Sequence, residues 1–288
     1  MDATANGRHA MDQVRTYPEG VTSWIDIEHQ DIEKAKDFYG GLFGWTFADA
    51  TPPGISPRYV IAQLGGRDVA GLGEGAAGDA GPTWNTYVAV WDSEAATDRI
   101  RGAGGRVLYG PTDAGEGGRA TLCADPAGIL FRLWQARHRP GAQAVNVPGA
   151  WNFSDLHTAD PAGAKDFYGR VFGWRFDDVG FGTMICVPGY GDHLQATSDP
   201  DIRERQSGIN VPPGFADAIG WLTDLDPGEA PHWHVGFAVA DRDSTALDAE
   251  RLGGKVLDRT DTDWTRDAAI SDPFGAVFTA SQFTPPSG

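Results

Sequence analysis

Two stretches of the chain are near copies of one another, and this repeat constrains the fold more than any other feature. Asp31 to Trp45 reads DIEKAKDFYGGLFGW, and Asp160 to Trp174 reads DPAGAKDFYGRVFGW. A second echo sets Gly104 to Leu108 (GGRVL) against Gly253 to Leu257 (GGKVL). A third sets Asp125-Pro126-Ala127-Gly128 against Asp272-Pro273-Phe274-Gly275. Three landmarks recurring in the same order mean that one module was duplicated. At 288 residues, each copy is long enough to bury a core.

Within each copy the pattern runs strand, helix, strands, and then strand, helix, strands again. In the first, Trp24 to Glu28 alternates, and Asp31 caps a helix that ends near Phe43-Gly44. Strands are expected at 45–50, 58–64, 67–72, 84–91, 105–109, 119–124 and 129–135, with a helix over 94–102. In the second, a strand over 151–157 precedes a helix from Pro161, capped by Asp160. Strands are expected at 174–179, 182–187 and 192–197, and a second half from Trp233 to Ser281. The boundaries that follow are a flexible tail over 1–20, a first module over 21–137, a linker over 138–149 and a second module over 150–282. The second module carries an insertion over 199–230 that has no counterpart in the first. Ala35, Phe38, Tyr39, Leu42 and Phe43 form one apolar helical stripe, as do Ala164, Phe167, Tyr168, Val171 and Phe172. Tyr39 and Tyr168 are therefore read as core residues.

Bulk composition excludes some functions. The net charge of −17 opposes binding to phosphate backbones and anionic membranes. Apolar runs are strand-length, too short to span a bilayer, and no secretory signal pattern appears. Cys123 and Cys186 lie in strand patterns without metal or thiol spacing, which fits buried residues of a reducing cytoplasm. Ten tryptophans is a high count, and aromatic-lined cavities suit flat ligands, although packing explains most such residues.

The D-x-x-x-A-x-x-FY helix, the LFGW that follows and the closing DPxG, each present twice, resemble the vicinal oxygen chelate superfamily. That group includes glyoxalase I, extradiol dioxygenases, fosfomycin-resistance transferases and bleomycin-binding proteins. More narrowly the chain is similar to tandem glyoxalase-like proteins of actinobacteria. The resemblance covers roughly residues 21–137 and 148–282. It implies an α+β fold of two tandem modules, each made of two βαβββ units in a mixed sheet curled around a cavity. It also implies a divalent metal in that cavity, held by His, Glu or Gln at three or four set places. In the first module those places fall on Trp24, Asn85 and Arg132, and in the second on Phe153, His234 and Thr279. Indole and guanidinium offer no lone pair to a cation, and one imidazole alone is a poor ligand set. No metal and no organic cofactor is expected at these places.

Strand alternation names the side chains that share a face with the lost ligands. The first face collects Trp24, Asp26, Glu28, Asn85, Tyr87 and Arg132. The second collects Phe153, Asp155, His157, His234 and Thr279, with His232 near the mouth and Trp221 in the insertion. Asp155, His157 and His234 are the candidate catalytic residues, because a carboxylate can orient an imidazole for proton transfer. The remaining residues are candidate substrate contacts. Three readings stay open. One is a metal-independent enzyme for isomerisation, cyclisation, dehydration or ring opening of a small aromatic or polyketide-like metabolite. Another is a protein that sequesters a drug or metabolite. The third is a metal enzyme with a shifted site built from His157, His234 and Asp155 or Glu28. A small-molecule ligand, no nucleic acid, no membrane, a cytoplasmic location and a monomer or homodimer complete the expectation.

Overall fold

The computed structural model describes residues 14–75, 81–209 and 211–284. In the first module β1 (Thr22–His29) leads into α1 (Ile32–Phe43), then β2 (Thr46–Asp49), β3 (Tyr59–Leu64) and β4 (Arg67–Glu74). Its second half is β5 (Asn85–Ala89), α2 (Ser93–Gly102), β6 (Arg106–Asp113), β7 (Gly118–Ala124) and β8 (Leu130–Ala136). The second module repeats this with β9 (Trp151–Thr158), α3 (Pro161–Phe172), β10 (Arg175–Asp178), β11 (Thr183–Cys186), α4 (Tyr190–Ala196), α5 (Ile202–Ser207) and β12 (Ala218–Asp224). It closes with β13 (His232–Ala238), α6 (Arg242–Arg251), β14 (Lys255–Asp261), β15 (Thr265–Ser271) and β16 (Val277–Phe283).

Each module is one eight-stranded mixed sheet. The orders are β2-β3-β4-β1-β5-β8-β7-β6 and β10-β11-β12-β9-β13-β16-β15-β14, the same path twice. β1 runs parallel to β4 and β5 to β8, with β12 to β9 and β13 to β16 as their counterparts. The helix motif explains its own boundaries. Asp31 accepts from the Lys34 amide at the start of α1, and Gly44 ends it in the left-handed region at φ 72°. Asp160 and Gly173 do the same for α3.

The two modules are joined through their helices. The side chains of Tyr39 and Tyr168 are fully buried, as core residues should be, but each reaches into the other module. The Tyr39 hydroxyl donates to Asp272 of the second DPxG turn (2.9 Å), and Tyr168 donates to Asp125 of the first (3.3 Å). The LFGW indoles cross as well, Trp45 donating to the Gly149 carbonyl and Trp174 to the Gly20 carbonyl. Phe43 packs on Phe237 of the second module, with ring centroids 4.8 Å apart, and Tyr168 packs on Phe131 of the first. Each of the two cores thus combines the first half of one module with the second half of the other. The helix-facing sides of the sheets supply these shared cores, and the polar residues lie on their other sides.

Three expectations change. Residues 14–20 are not loose: Arg15 donates to the Tyr190 hydroxyl and Tyr17 to the Ala142 carbonyl, while residues 1–13 lie outside the described residues. The linker is equally anchored, with Ala142 and Ala144 buried. The strand expected over 192–197 is helix α4, and the fourth strand of that half is β12, from within the presumed insertion. The apolar Tyr190, Leu194 and Ile202 face the core from α4 and α5, so a helical rather than a strand period fits this segment.

The crossed hydrogen bonds give two testable consequences. Tyr39→Phe removes a donor from a buried carboxylate and should cost about 1.5–3 kcal/mol in urea unfolding. Tyr168→Phe, with its longer bond to Asp125, should cost less; equal or reversed losses would contradict the geometry. His29 lies beside the same Asp272 (3.3 Å) with both side chains shielded from solvent. Burial holds its ring below the ordinary imidazole value of 6.5 despite the attraction of Asp272. The unfolded chain then binds the extra proton more readily, so this contribution is complete above pH 6.5 and falls away at lower pH. Unfolding measured across acid pH should show a shallower decline for His29→Gln than for the parent.

Candidate functional site

The open face of the first sheet brings all six expected residues together. Trp24 stands opposite Tyr87 and Asp26 opposite Asn85 across β1 and β5, and Tyr87 stands opposite Arg132 across β5 and β8. Asp26 is the centre. It accepts from the Tyr87 hydroxyl (2.5 Å), the Tyr59 hydroxyl (2.9 Å) and the Asn85 amide (2.8 Å). Burial, with the Asp26 charge, pushes both tyrosines well above their ordinary value, so they remain donors. The Trp24 indole donates to Tyr59 at 3.0 Å. Arg132 pairs with Glu28 (2.9 Å) and leaves Asp26 to the two hydroxyls and the Asn85 amide. Burial alone would lower the Arg132 value, but Tyr87, Asp26 and Glu28 more than offset it and keep the guanidinium charged. In this face the polar groups largely satisfy one another, with Arg132 Nε left buried without a partner.

Tyr59 was not among the expected residues. Its ring lies over Gly71 on the neighbouring strand, where an added Cβ would overlap the hydroxyl. In the second sheet the corresponding place beside Asp155 belongs to Trp221, since Leu222 of β12 pairs with Leu156 of β9. The missing side chain at Gly71 is the only mark in the sequence, and it does not name the tyrosine that fills the space.

The second face is arranged differently. His234 lies opposite Asp155, and His232 opposite His157, across β9 and β13; Thr279 of β16 pairs with Gly236. The three imidazoles cluster, His157 lying 5.0 Å from His232 and 5.2 Å from His234 between ring centroids. His234 Nε2 meets the Thr279 hydroxyl at 2.8 Å, and its Nδ1 lies 3.3 Å from His232 Nε2. Phe153 sits on the same strand but lines a different small cavity, of about 80 Å³, with Arg15, Tyr190 and Phe215.

The carboxylate that orients an imidazole is Glu229, not Asp155. Asp155 Oδ1 accepts from the Trp221 amide (2.8 Å), and burial pushes its carboxyl up to about 7. Glu229, in the turn before β13, stands 2.8 Å from His157 Nδ1 and holds its other oxygen on the Asp226 amide (2.9 Å). Burial would raise the Glu229 value, but the hydrogen bond from the Asp226 amide, together with the neighbouring His157, outweighs it and holds the group below its ordinary value. Burial lowers His157 below its ordinary value despite Glu229, and it takes His234, beside two other imidazoles, down to about 3. Neutral rings with available lone pairs result. Sequence alternation could not reach Glu229, because it lies in a turn; the acid three residues before His232 was the available signal.

Most tryptophans belong to packing. Trp84 lies edge-on to Tyr39 (5.4 Å) and Trp233 edge-on to Tyr168 (5.7 Å), both buried with the LFGW indoles. Cys123 and Cys186 are buried free thiols. Among the described residues, no helix is long and apolar enough to cross a membrane.

The residues at the superfamily's metal places do not fit a cation. In the first module the Trp24 indole and Arg132 are donors without a lone pair to give, which leaves the Asn85 oxygen alone at those places. In the second, Phe153 offers no donor atom and His234 is engaged by Thr279.

Comparison with known proteins agrees with this architecture. The model of the Glyoxalase/Bleomycin resistance protein/Dioxygenase superfamily matches residues 23–133, and that of the Glyoxalase-like domain matches residues 152–281. The putative glyoxylase CFP32 of Mycobacterium tuberculosis is 34% identical over 93% of this chain and 97% of its own length. The anthracycline biosynthesis protein DnrV of Streptomyces peucetius is 32% identical over 90% of this chain and 92% of its own. Among solved structures, the 2,3-dioxygenase LapB from Pseudomonas sp. KL28 superposes with a TM-score of 0.59 at 13% identity, covering 93% of this chain and 95% of that one. The Mn(II)-bound glyoxalase from Novosphingobium aromaticivorans gives 0.57 at 13% identity, covering 94% and 85%. The chain therefore belongs to the Glyoxalase/Bleomycin resistance protein/Dioxygenase superfamily, as two tandem copies of its module.

Proposed function

We propose that the open face of the second module is the active site of an enzyme that moves a proton on a small, flat, aromatic metabolite of polyketide type. The observation that carries this reading is the 2.8 Å contact between His157 Nδ1 and Glu229. With Nδ1 protonated and donating to Glu229, the lone pair of the ring lies on Nε2. Glu229 then stabilises the imidazolium that forms when His157 accepts a proton. A C–H bond beside a substrate carbonyl breaks, its electron pair moves into an enolate, and the proton rests on His157 before returning at another carbon. No electrons leave the substrate, so isomerisation, or a cyclisation or dehydration through the same enolate, needs no redox partner. His232, His234 and Thr279 supply polar contacts for the substrate oxygens, and Trp221 a flat apolar surface beside Asp155.

Two further features support the assignment. The equivalent residue of the first face, Glu28, is tied to Arg132, so only the second face presents a free base. The similarity to a protein named for anthracycline biosynthesis favours a polycyclic aromatic ketone as substrate. The proton step also requires no cation at the superfamily's ligand places.

The test is the exchange of substrate C–H for deuterium in D₂O, followed by NMR, with an anthracycline-type aromatic ketone. His157→Gln should slow exchange by about 10²–10⁴-fold, the usual worth of a positioned base. Ligand affinity from tryptophan quenching should stay as in the parent. Glu229→Gln should produce a smaller loss. Tight quenching without any exchange in the parent would instead mark a sequestering protein.

A further inference from the structure

Glu229 lies outside the duplicated pattern, yet it touches one imidazole and approaches a second. We propose that His157, Glu229 and His232 form a binding site for one divalent transition-metal ion, at the mouth of the second sheet and away from the superfamily's ligand places. One donor atom from each of the three lies within 4.8 Å of the others. Glu229 Oε1 is 2.8 Å from His157 Nδ1 and 3.7 Å from His232 Nδ1. Ligand bonds of about 2.1 Å at tetrahedral angles separate donors by about 3.4 Å, so small rotations bring the three onto one ion.

The scaffold favours this arrangement. His157 and His232 are register partners on β9 and β13, which fixes their backbones side by side. The Asp226 amide holds Glu229 Oε2 and leaves Oε1 facing the rings. All three side chains retain partial exposure, 17%, 23% and 33%, so an ion can enter from solvent and keep open coordination positions. Two imidazoles and a carboxylate suit Mn, Fe, Co, Ni or Zn, whereas Ca and Mg prefer oxygen throughout. The position differs from the superfamily's ligand places: Phe153, at the first of them, is four residues from His157, about 13 Å along a strand.

Ion binding does not depend on the proton-transfer reading, but its effect on turnover rests on it. An ion on either nitrogen of His157 ends the arrangement in which Nδ1 donates to Glu229 and Nε2 holds a free pair. The ion and the substrate proton therefore compete, and loading silences the base.

The experiment uses the full-length, tag-free chain, stripped with EDTA. Zn²⁺ is titrated by calorimetry, and Co²⁺ is followed by its visible d–d absorption. One equivalent should bind. His157→Gln and Glu229→Gln should each weaken it at least about 100-fold, because loss of a ligand exceeds the 10–100-fold typical of an outer-shell partner. His138→Gln, at an exposed histidine elsewhere, should bind like the parent. Parent-like binding by both site variants, or no stoichiometric binding by the parent, overturns the site. Glu229 lies in a turn, so its variant reports even where His157→Gln folds poorly. Exchange catalysis without ion binding would remove the ion site and leave the base; ion binding without exchange would do the reverse.

Discussion

The pairing of a buried tyrosine with a buried carboxylate of the opposite module organises this molecule. Tyr39 with Asp272, and Tyr168 with Asp125, each join the helix of one copy to the closing turn of the other. A carboxylate shielded from water must be met by donors. Asp272 is met by Tyr39 and by the Phe274 and Ala276 amides, and that ties the turn, the helix and the last strand into one arrangement. The aromatic packing around these bonds follows from them, since Phe43, Trp45, Phe237 and Phe278 converge where the tyrosine enters.

This explains which parts of the duplication stayed alike. The recurring FY, FGW and DPxG residues lie on the crossed interface, where a change on one side must be matched on the other. The open faces carry no such constraint. Trp24 and Phe153, Asn85 and His234, and Arg132 and Thr279 occupy equivalent places with unrelated side chains. Only the central aspartates, Asp26 and Asp155, agree, and even they are held differently: one by two phenols and an amide, the other by the Trp221 backbone. One copy became a closed polar network and the other a cluster of imidazoles.

Much of this was legible in the sequence. The helix boundaries followed from Asp31, Gly44, Asp160 and Gly173, and strand alternation brought together the residues of the first face and the imidazoles and Thr279 of the second, though not Phe153. What escaped it was set by distance or by loops. The acid that orients His157 comes from a turn, where no period operates, and alternation suggested Asp155 because it was nearest on the strand. Tyr59 reaches its place only because Gly71 has no side chain. The segment over 192–197 was read as a strand by analogy with the first copy, but Tyr190 and Leu194 have helical spacing. That the helices pack on the opposite module could not be read from either copy alone.

The 233 residues that separate Tyr39 from Asp272 bear on how the chain is made. When the first copy leaves the ribosome α1 can settle on β1 and β4, but the side of its stripe that meets Phe237 and Phe278 stays uncovered until β16, near the end of the chain, has been synthesised. Throughout translation of the second copy that stripe is a sticky surface in need of shelter. A nascent chain built this way leaves an incomplete core exposed for longer than a pair of self-contained domains would.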